Sequence, residues 1–186
     1  MVKLTTKRLI IRDPLLTDIG DWHRLLSDDK TMYYLQDIKT SSLEKSRENL
    51  EIAVEEAKNE NRKKYFFAIE NKETGTFIGS IGYTVDQITP IGNLVGIGYF
   101  ILPEFHGKGY VTEALLAVVK FAFEENGVYR ISTGCLTENY GSERVMQKCG
   151  FIKEATYPSY IWHDGQLKDR VEYRLLRNEW RYERAF

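Results

Sequence analysis

The stretch from Gly98 to Phe123, GYFILPEFHGKGYVTEALLAVVKFAF, leaves this chain few ways to fold. It opens as an extended apolar run, Gly98 to Leu102. It closes as a helix, Val111 to Phe123, whose Leu115, Val118, Val119 and Ala122 recur at helical spacing. Between the two lie Gly107, Lys108 and Gly109. Glycine reaches backbone conformations closed to other residues, so this is a tight strand-to-helix turn. The turn also carries chemical potential. The first turn of a helix presents N–H groups with no helical partner, and the helix dipole adds partial positive charge there. Glycines let a bulky anion approach that backbone closely. Gly107 to Thr112 can therefore wrap a phosphate or pyrophosphate, with Lys108 adding charge and the Thr112 hydroxyl a hydrogen bond. The same glycines serve a plain tight turn equally well.

Two commoner phosphate motifs do not fit. A P-loop needs GxxxxGK[ST], and Lys108 is followed by Gly109, with no glycine at the required earlier position. A dinucleotide fingerprint needs GxGxxG, and Ile101 occupies the third glycine position after Gly96 and Gly98. Nucleotide triphosphate hydrolysis and nicotinamide chemistry lose support accordingly.

The rest of the chain reads as alternating elements. Leu9 to Ile11 is a strand closed by Asp13-Pro14. Thr17 is placed to cap a helix bearing Ile19, Trp22, Leu25 and Leu26. Ser41 with Glu44 reads as a capping box opening a long polar helix with Leu43, Leu50 and Val54 on one side. Tyr65 to Ile69 and Phe77 to Val85 are strands around the turn Asn71 to Gly75, and Asn93 to Leu102 is a third. After the helix at Val111, Tyr129 to Leu136 is a strand and Gly141 to Cys149 a short helix stopped by Gly150. Phe151 to Trp162 and Lys168 to Leu176 are strands joined by a hairpin turn at Asp164-Gly165. The expectation is a mixed α/β (α+β) domain spanning 1–186, its sheet of about seven strands mostly antiparallel, with about four helices.

Bulk properties exclude several classes. With 186 residues, 42% hydrophobic and 28% charged, the chain is long enough for a substantial core. A formal net charge of −1 gives no global basic field for nucleic acid. Cys135 and Cys149 form no CxxC, and His23, His106 and His163 are scattered, so no metal site is expected. No run reaches membrane-spanning length, and the N-terminal MVKLTTKRLIIRD holds no apolar signal segment. A cytoplasmic protein without a membrane partner is the default expectation.

A second informative stretch, ENYGSERVMQKCGF from Glu138 to Phe151, follows the strand ending at Leu136. Asn139 and Ser142 stand at the start of its helix, and both residue types cap helices well. With this stretch the combination becomes recognisable. The chain resembles the GNAT superfamily of acetyl-CoA-dependent N-acetyltransferases, and within it the RimJ/RimL-type branch of ribosomal-protein N-terminal acetyltransferases. The resemblance runs through TTKRLIIRDPLLTDIGDW, IGYFILPEFHGKGYVTEAL, NYGSERVMQKCGF and DRVEYRLLRNEW.

The resemblance implies a GNAT-like fold with a splayed strand pair. It implies that acetyl-CoA is the cosubstrate, with no metal. Its pyrophosphate loop, usually Q/R-x-x-G-x-G/A, falls on His106, Gly107, Lys108, Gly109, Tyr110 and Val111, with Thr112 beside it. Gly109 matches; His106 and Val111 depart from the usual residues. The pantetheine arm is expected on the backbone of Phe100, Ile101 and Leu102, with Asn139 as a further contact. A backbone N–H near Ile101 or Leu102 is the implied oxyanion donor. Many relatives use a Tyr as acid where Met146 stands here; the RimJ/RimL-type branch has instead a Ser, matched by Ser142, which is expected to protonate the leaving thiolate. The usual base is a Glu in the strand before the loop, and Gly96 occupies that position. Glu70, Glu104, Glu154, Asp169 and His163 remain as candidates. Asp169 serves equally as a structural partner for an arginine, and His163 as a surface histidine.

An α-amine has a reference pKa of about 7.7–8.0 against about 10.4 for lysine, so a weak base suffices more easily for an N-terminal acceptor. The favoured reading is direct acetyl transfer to such an α-amine in a ternary complex. A polyamine or antibiotic acceptor, and a non-catalytic CoA-binding module, stay open, as does a monomer or homodimer. Tyr33, Tyr34, Tyr160 and Trp162 either line an acceptor groove or belong to the core. An acyl-cysteine route is disfavoured, because no base motif accompanies either cysteine.

Overall fold

Leu9 and Ile11 are fully buried and alternate with half-buried Ile10 and Arg12, the period of a strand with one covered face. The computed structural model describes residues 1–180. In it this strand (β2, Leu9–Arg12) pairs antiparallel with a three-residue strand before it (β1, Lys3–Thr5). Two helices follow, α1 (Ile19–Ser27) and α2 (Leu43–Glu56), then β3 (Lys64–Asn71), β4 (Phe77–Thr89) and β5 (Gly92–Ile101). After α3 (Tyr110–Glu124) come β6 (Val128–Leu136), α4 (Tyr140–Lys148), β7 (Ile152–His163) and β8 (Gln166–Leu176). The strands hydrogen-bond in the order β1-β2-β3-β4-β5-β6-β8-β7, one sheet of eight strands. The expected mixed α/β architecture is what the chain adopts. The strand beyond the expected seven is β1, whose three residues are too few and too polar to show a pattern.

The chain divides into two compact units, Met1–Thr84 with Gly98–Val118, and Val85–Ile97 with the residues from Val119 onward. In the first, β2, β3 and β4 pair antiparallel, Leu9 opposite Asn71 and Lys64 opposite Thr84. Its core gathers Trp22, Leu25 and Leu26 of α1, Leu50, Ala53 and Val54 of α2, and Met32, Ala68, Phe77 and Leu102. Burying each large side chain is worth about 1.5–3 kcal/mol, which fixes both helices to the strands. Trp22 keeps its ring N–H satisfied on Asn49 Oδ1 at 2.9 Å. A buried ion pair, Asp13 with Arg62 at 2.7 Å, and the Val2 N–H on Asp13 Oδ2 at 2.6 Å hold the start of the chain.

Two caps differ from expectation. Thr17 lies inside a short 3-10 turn, Leu16–Asp18, and Asp18 holds the N-cap position of α1. Its carboxylate takes the Leu15 N–H at 2.8 Å and the Arg12 guanidinium, which a lone Thr hydroxyl could not do. At α2 the cap is Ser42, whose Oγ accepts the Lys45 N–H at 3.3 Å; Ser41 stands one residue outside. Two adjacent serines give no local signal for which of them begins the helix.

In the second unit β5 runs parallel to β6 over Asn93–Gly96 against Val128–Ser132. The register ends there, while β5 continues to Ile101 and β6 to Leu136. β6 and β8 pair antiparallel from Arg130–Leu176 to Leu136–Arg170, and β7 lies outside β8. Val171, Tyr173 and Leu175 alternate as the buried face of β8. The Asp164-Gly165 turn forms as expected: both residues have positive φ, 50° and 75°, as a two-residue hairpin turn of this twist requires. Among the described residues no helix is long and apolar enough to cross a membrane.

Candidate active site

The glycine loop belongs to the first unit. β5 ends at Ile101, and buried Leu102 turns the chain into a 3-10 turn, Pro103–Phe105. His106 then folds back, its Nε2 3.1 Å from Ile101 O. A carbonyl only accepts, so Nε2 carries the proton, and the imidazole ties the loop to the strand end. Gly107 and Gly109 both take positive φ, 73° and 76°. A side chain at either would meet open space or only an arginine tip at 3.5 Å, so backbone conformation rather than crowding demands glycine. The Glu113 N–H on Gly109 O, 3.1 Å, is the first bond of α3. The N–H groups from Gly107 to Thr112 precede that bond, the arrangement an anion needs. Tyr110, Val111 and Thr112 form the first helical turn and are half-buried, while His106, Gly107, Lys108 and Gly109 are exposed.

Two features of this loop escaped the sequence reading. The first is a clamp from the β1–β2 connection. Arg8 Nε meets Glu113 Oε2 at 2.7 Å, the Arg8 N–H and the Thr6 hydroxyl both reach Glu113 Oε1, at 2.8 and 2.6 Å, and Arg8 Nη1 donates to Lys108 O at 3.0 Å. The Arg8 guanidinium also lies 4.6 Å from the centre of the Tyr110 ring. Partial burial pushes the Glu113 carboxyl up, but the bonds from Thr6 and Arg8 outweigh it and hold the group below the usual carboxylate range. The second feature is Gly79 on β4. A Cβ there would lie 2.4 Å from Phe100 O and 2.6 Å from Ile101 Cα, so the end of β5 packs backbone against backbone. Partners 100 to 107 positions apart in sequence offer no local pattern for the clamp.

Leu102 stands differently from its expected part as oxyanion donor. Its N–H donates to Ile78 O at 2.9 Å and is committed to holding the strand end. Phe100 and Ile101 lie on β5, and Ile101 O accepts from Thr31 Oγ1 at 3.4 Å as well as from His106. Lys108 keeps its ammonium 5.7 Å from the Phe105 ring.

Asn139 and Ser142 belong to the second unit. Asn139 is the N-cap of α4, its Oδ1 accepting the Ser142 N–H at 3.1 Å. The cap therefore uses the Asn139 carbonyl oxygen and the Ser142 backbone, while the Ser142 hydroxyl hydrogen-bonds the Cys135 thiol. Burial pushes that thiol up to about 11 despite the Ser142 bond, and burial takes Cys149 to about 12. Neither is a thiolate at neutral pH, in line with the expectation that neither acts as a nucleophile. Met146 is fully buried.

The carboxylates weighed as bases are engaged elsewhere. Glu70 pairs with Arg12, and Glu104 with Arg24. Glu154 meets Arg130 and, at 3.3 Å, Arg174. Asp169 accepts the Ser159 N–H at 2.8 Å rather than an arginine, steadying a residue held at φ 49°. His163 is buried at the hairpin end, contrary to the surface position expected. Tyr33, Tyr34, Tyr160 and Trp162 are exposed and form no part of the core. Among the described residues no group of three or more His, Cys, Asp or Glu is placed to hold a metal ion.

Comparison with known proteins bears on this arrangement. The family model described as "Acetyltransferase (GNAT) domain" matches residues 8–152. An uncharacterized N-acetyltransferase, YnaD of Bacillus subtilis, is 28% identical over 177 residues, covering 95% of this chain and 98% of that protein. The [ribosomal protein uS5]-alanine N-acetyltransferase of Escherichia coli is 31% identical over 84 residues, 45% of this chain and 43% of that one. Among solved structures, a GNAT-family acetyltransferase from Bacillus anthracis superimposes with a TM-score of 0.78 at 26% identity, over 95% of this chain and 99% of that chain.

Proposed function

This chain belongs to the acetyltransferase (GNAT) domain family and is an acetyl-CoA-dependent N-acetyltransferase, and we propose that its acceptor is the N-terminal α-amine of a protein or peptide. The observation that carries the cosubstrate half is the pair of left-handed glycines, Gly107 and Gly109, opening α3. The acceptor half is supported by the likeness to the uS5-alanine enzyme.

In this reading the backbone of His106 to Thr112 holds the pyrophosphate, with Lys108 adding charge at the rim. Phe100, Ile101 and Leu102 offer backbone groups to the pantetheine arm. Asn139 has its amide NH₂ available to the same arm, because the cap uses only Oδ1. The reaction needs a neutral amine, a stabilised oxyanion and a proton for the departing sulfur. A backbone N–H at the end of β5 is the oxyanion donor; Leu102 serves only by sharing its bond to Ile78 O. Ser142 is the proton donor to the thiolate, since the cap uses its backbone N–H rather than its hydroxyl. A thiol of reference pKa about 8.5 makes this a modest contribution rather than a decisive one.

The test is thiol release from acetyl-CoA with a panel of hexapeptides bearing free N-terminal Ala or Ser, their N-acetylated controls, and spermidine. Turnover with the free peptides and none with blocked ones supports the α-amine. Turnover with spermidine alone overturns that acceptor. Tight CoA binding with no turnover on any amine favours a binding module.

A further inference from the structure

Transfer to an amine must dispose of protons, and the carboxylates considered above are bound to other partners. Glu70 and Glu104 face arginines, Glu154 faces two, and Asp169 holds a backbone N–H. Gly96 brings no side chain. Its neighbour on the adjoining strand does. A Cβ built at Gly96 would lie 3.2 Å from Asp86 Oδ2, so the Asp86 carboxylate fills the space toward which a side chain at 96 would point. Asp86 stands on the outer half of β4, past the buried run that ends at Tyr83, and is exposed. Among the described residues its carboxylate has no hydrogen-bond or ion-pair partner. Two residues along β5, a Cβ at Gly98 would meet nothing within 4 Å. A strand bare of side chains at alternate positions beside an unengaged carboxylate gives an incoming cation both room and a counter-charge.

Resting on the transferase reading above, we propose that Asp86 is the acceptor-side carboxylate of this enzyme. It pairs with the arriving ammonium and receives the proton that nitrogen sheds once bonded to the acetyl carbon. The ammonium first loses one proton to solvent, giving the neutral amine. Nitrogen's lone pair then forms the N–C bond, the C–S bond breaks with its electron pair on sulfur, and the attacking nitrogen gives its second proton to Asp86. One proton returns to the thiolate, leaving amide, CoA thiol and one proton in solution. A carboxylate is a weaker base than an amine by roughly 4 pKa units, so Asp86 does not strip the free ammonium. The N–H becomes far more acidic only as the N–C bond forms, and that is the proton within its reach.

The experiment uses the full chain and whichever acceptor of the panel above the wild type acetylates, so a wrong acceptor class shows in the wild type and a wrong base only in the variants. Asp86→Asn is expected to lower kcat about 10²-fold, the usual scale of general base catalysis, with KM for acetyl-CoA unchanged. Asp86→Glu is expected to stay within tenfold of wild type. Asp86→Ala combined with Gly96→Glu, which brings a carboxylate from β5 instead, is expected to recover at least tenfold over Asp86→Ala alone. Wild-type kcat in Asp86→Asn overturns the proposal. So does a loss that neither carboxylate-bearing variant restores in protein with an unchanged unfolding temperature.

Discussion

Arg8 and Glu113, more than a hundred residues apart, form an ion pair at 2.7 Å that joins the β1–β2 connection to the first turn of α3. The same carboxylate takes the Arg8 N–H, and the same guanidinium holds the Lys108 carbonyl, so one pair fixes both sides of the glycine loop. Arg8→Ala and Glu113→Gln are each expected to raise KM for acetyl-CoA roughly fivefold, about 1 kcal/mol of lost loop order, with little change in kcat. Initial-rate kinetics separate the two parameters. The pair also titrates. Because the folded carboxyl of Glu113 is held below its ordinary range, its stabilisation is present above the unfolded value of about 4.3 and is lost as pH falls through the folded value. The gap in urea unfolding between wild type and Glu113→Gln should therefore begin to narrow as pH falls below about 4.3 and close once pH lies beneath the folded value.

Gly109 has φ 76°, where an L side chain costs about 1–2 kcal/mol. Gly109→Asp adds a negative charge to that strain where a pyrophosphate would sit. Calorimetric titration with CoA should show at least a tenfold loss of affinity. His106→Gln should be mild, because a glutamine amide can donate to Ile101 O as the imidazole does. Near-normal affinity in Gly109→Asp would remove the cradle assignment.

Gly79→Ala would place a Cβ 2.4 Å from Phe100 O, against backbone that no rotamer change can move. Overpacking of this kind costs about 1–3 kcal/mol, or several degrees in unfolding temperature for a chain of this size. Thermal denaturation should show that loss, and acetyl-CoA affinity should fall with it, since the displaced segment leads into the loop.

Asn139 and Ser142 separate cap from chemistry. Asn139→Ala removes the side chain that accepts the Ser142 N–H and should cost about 1 kcal/mol of stability. Ser142→Ala keeps that backbone donor, so its stability should be near wild type while kcat falls several-fold. Full turnover in Ser142→Ala with the physiological amine would leave Ser142 without an acid role.

Much of this protein was legible in its sequence because the decisive signals were local. The glycines at 107 and 109, the helical spacing of Leu115, Val118, Val119 and Ala122, and the Asp164-Gly165 turn each announce a conformation from adjacent residues. The order of elements followed from them, and so did the left-handed backbone of the loop. Caps were blurred where neighbouring residues compete, as at Ser41 and Ser42, or where Asp18 gains a partner in Arg12 from another element.

What only the tertiary structure decided were relations between distant residues. Sequence placed Arg8 in a strand approach and Glu113 in a helix, and nothing local links them; strand pairing and helix packing bring them to 2.7 Å. The missing side chain at Gly96 was visible in the sequence, but the carboxylate beside it was not. Asp86 reaches that space because side chains on neighbouring strands share a sheet face, and that proximity depends on register, a property of the folded sheet rather than of either strand alone.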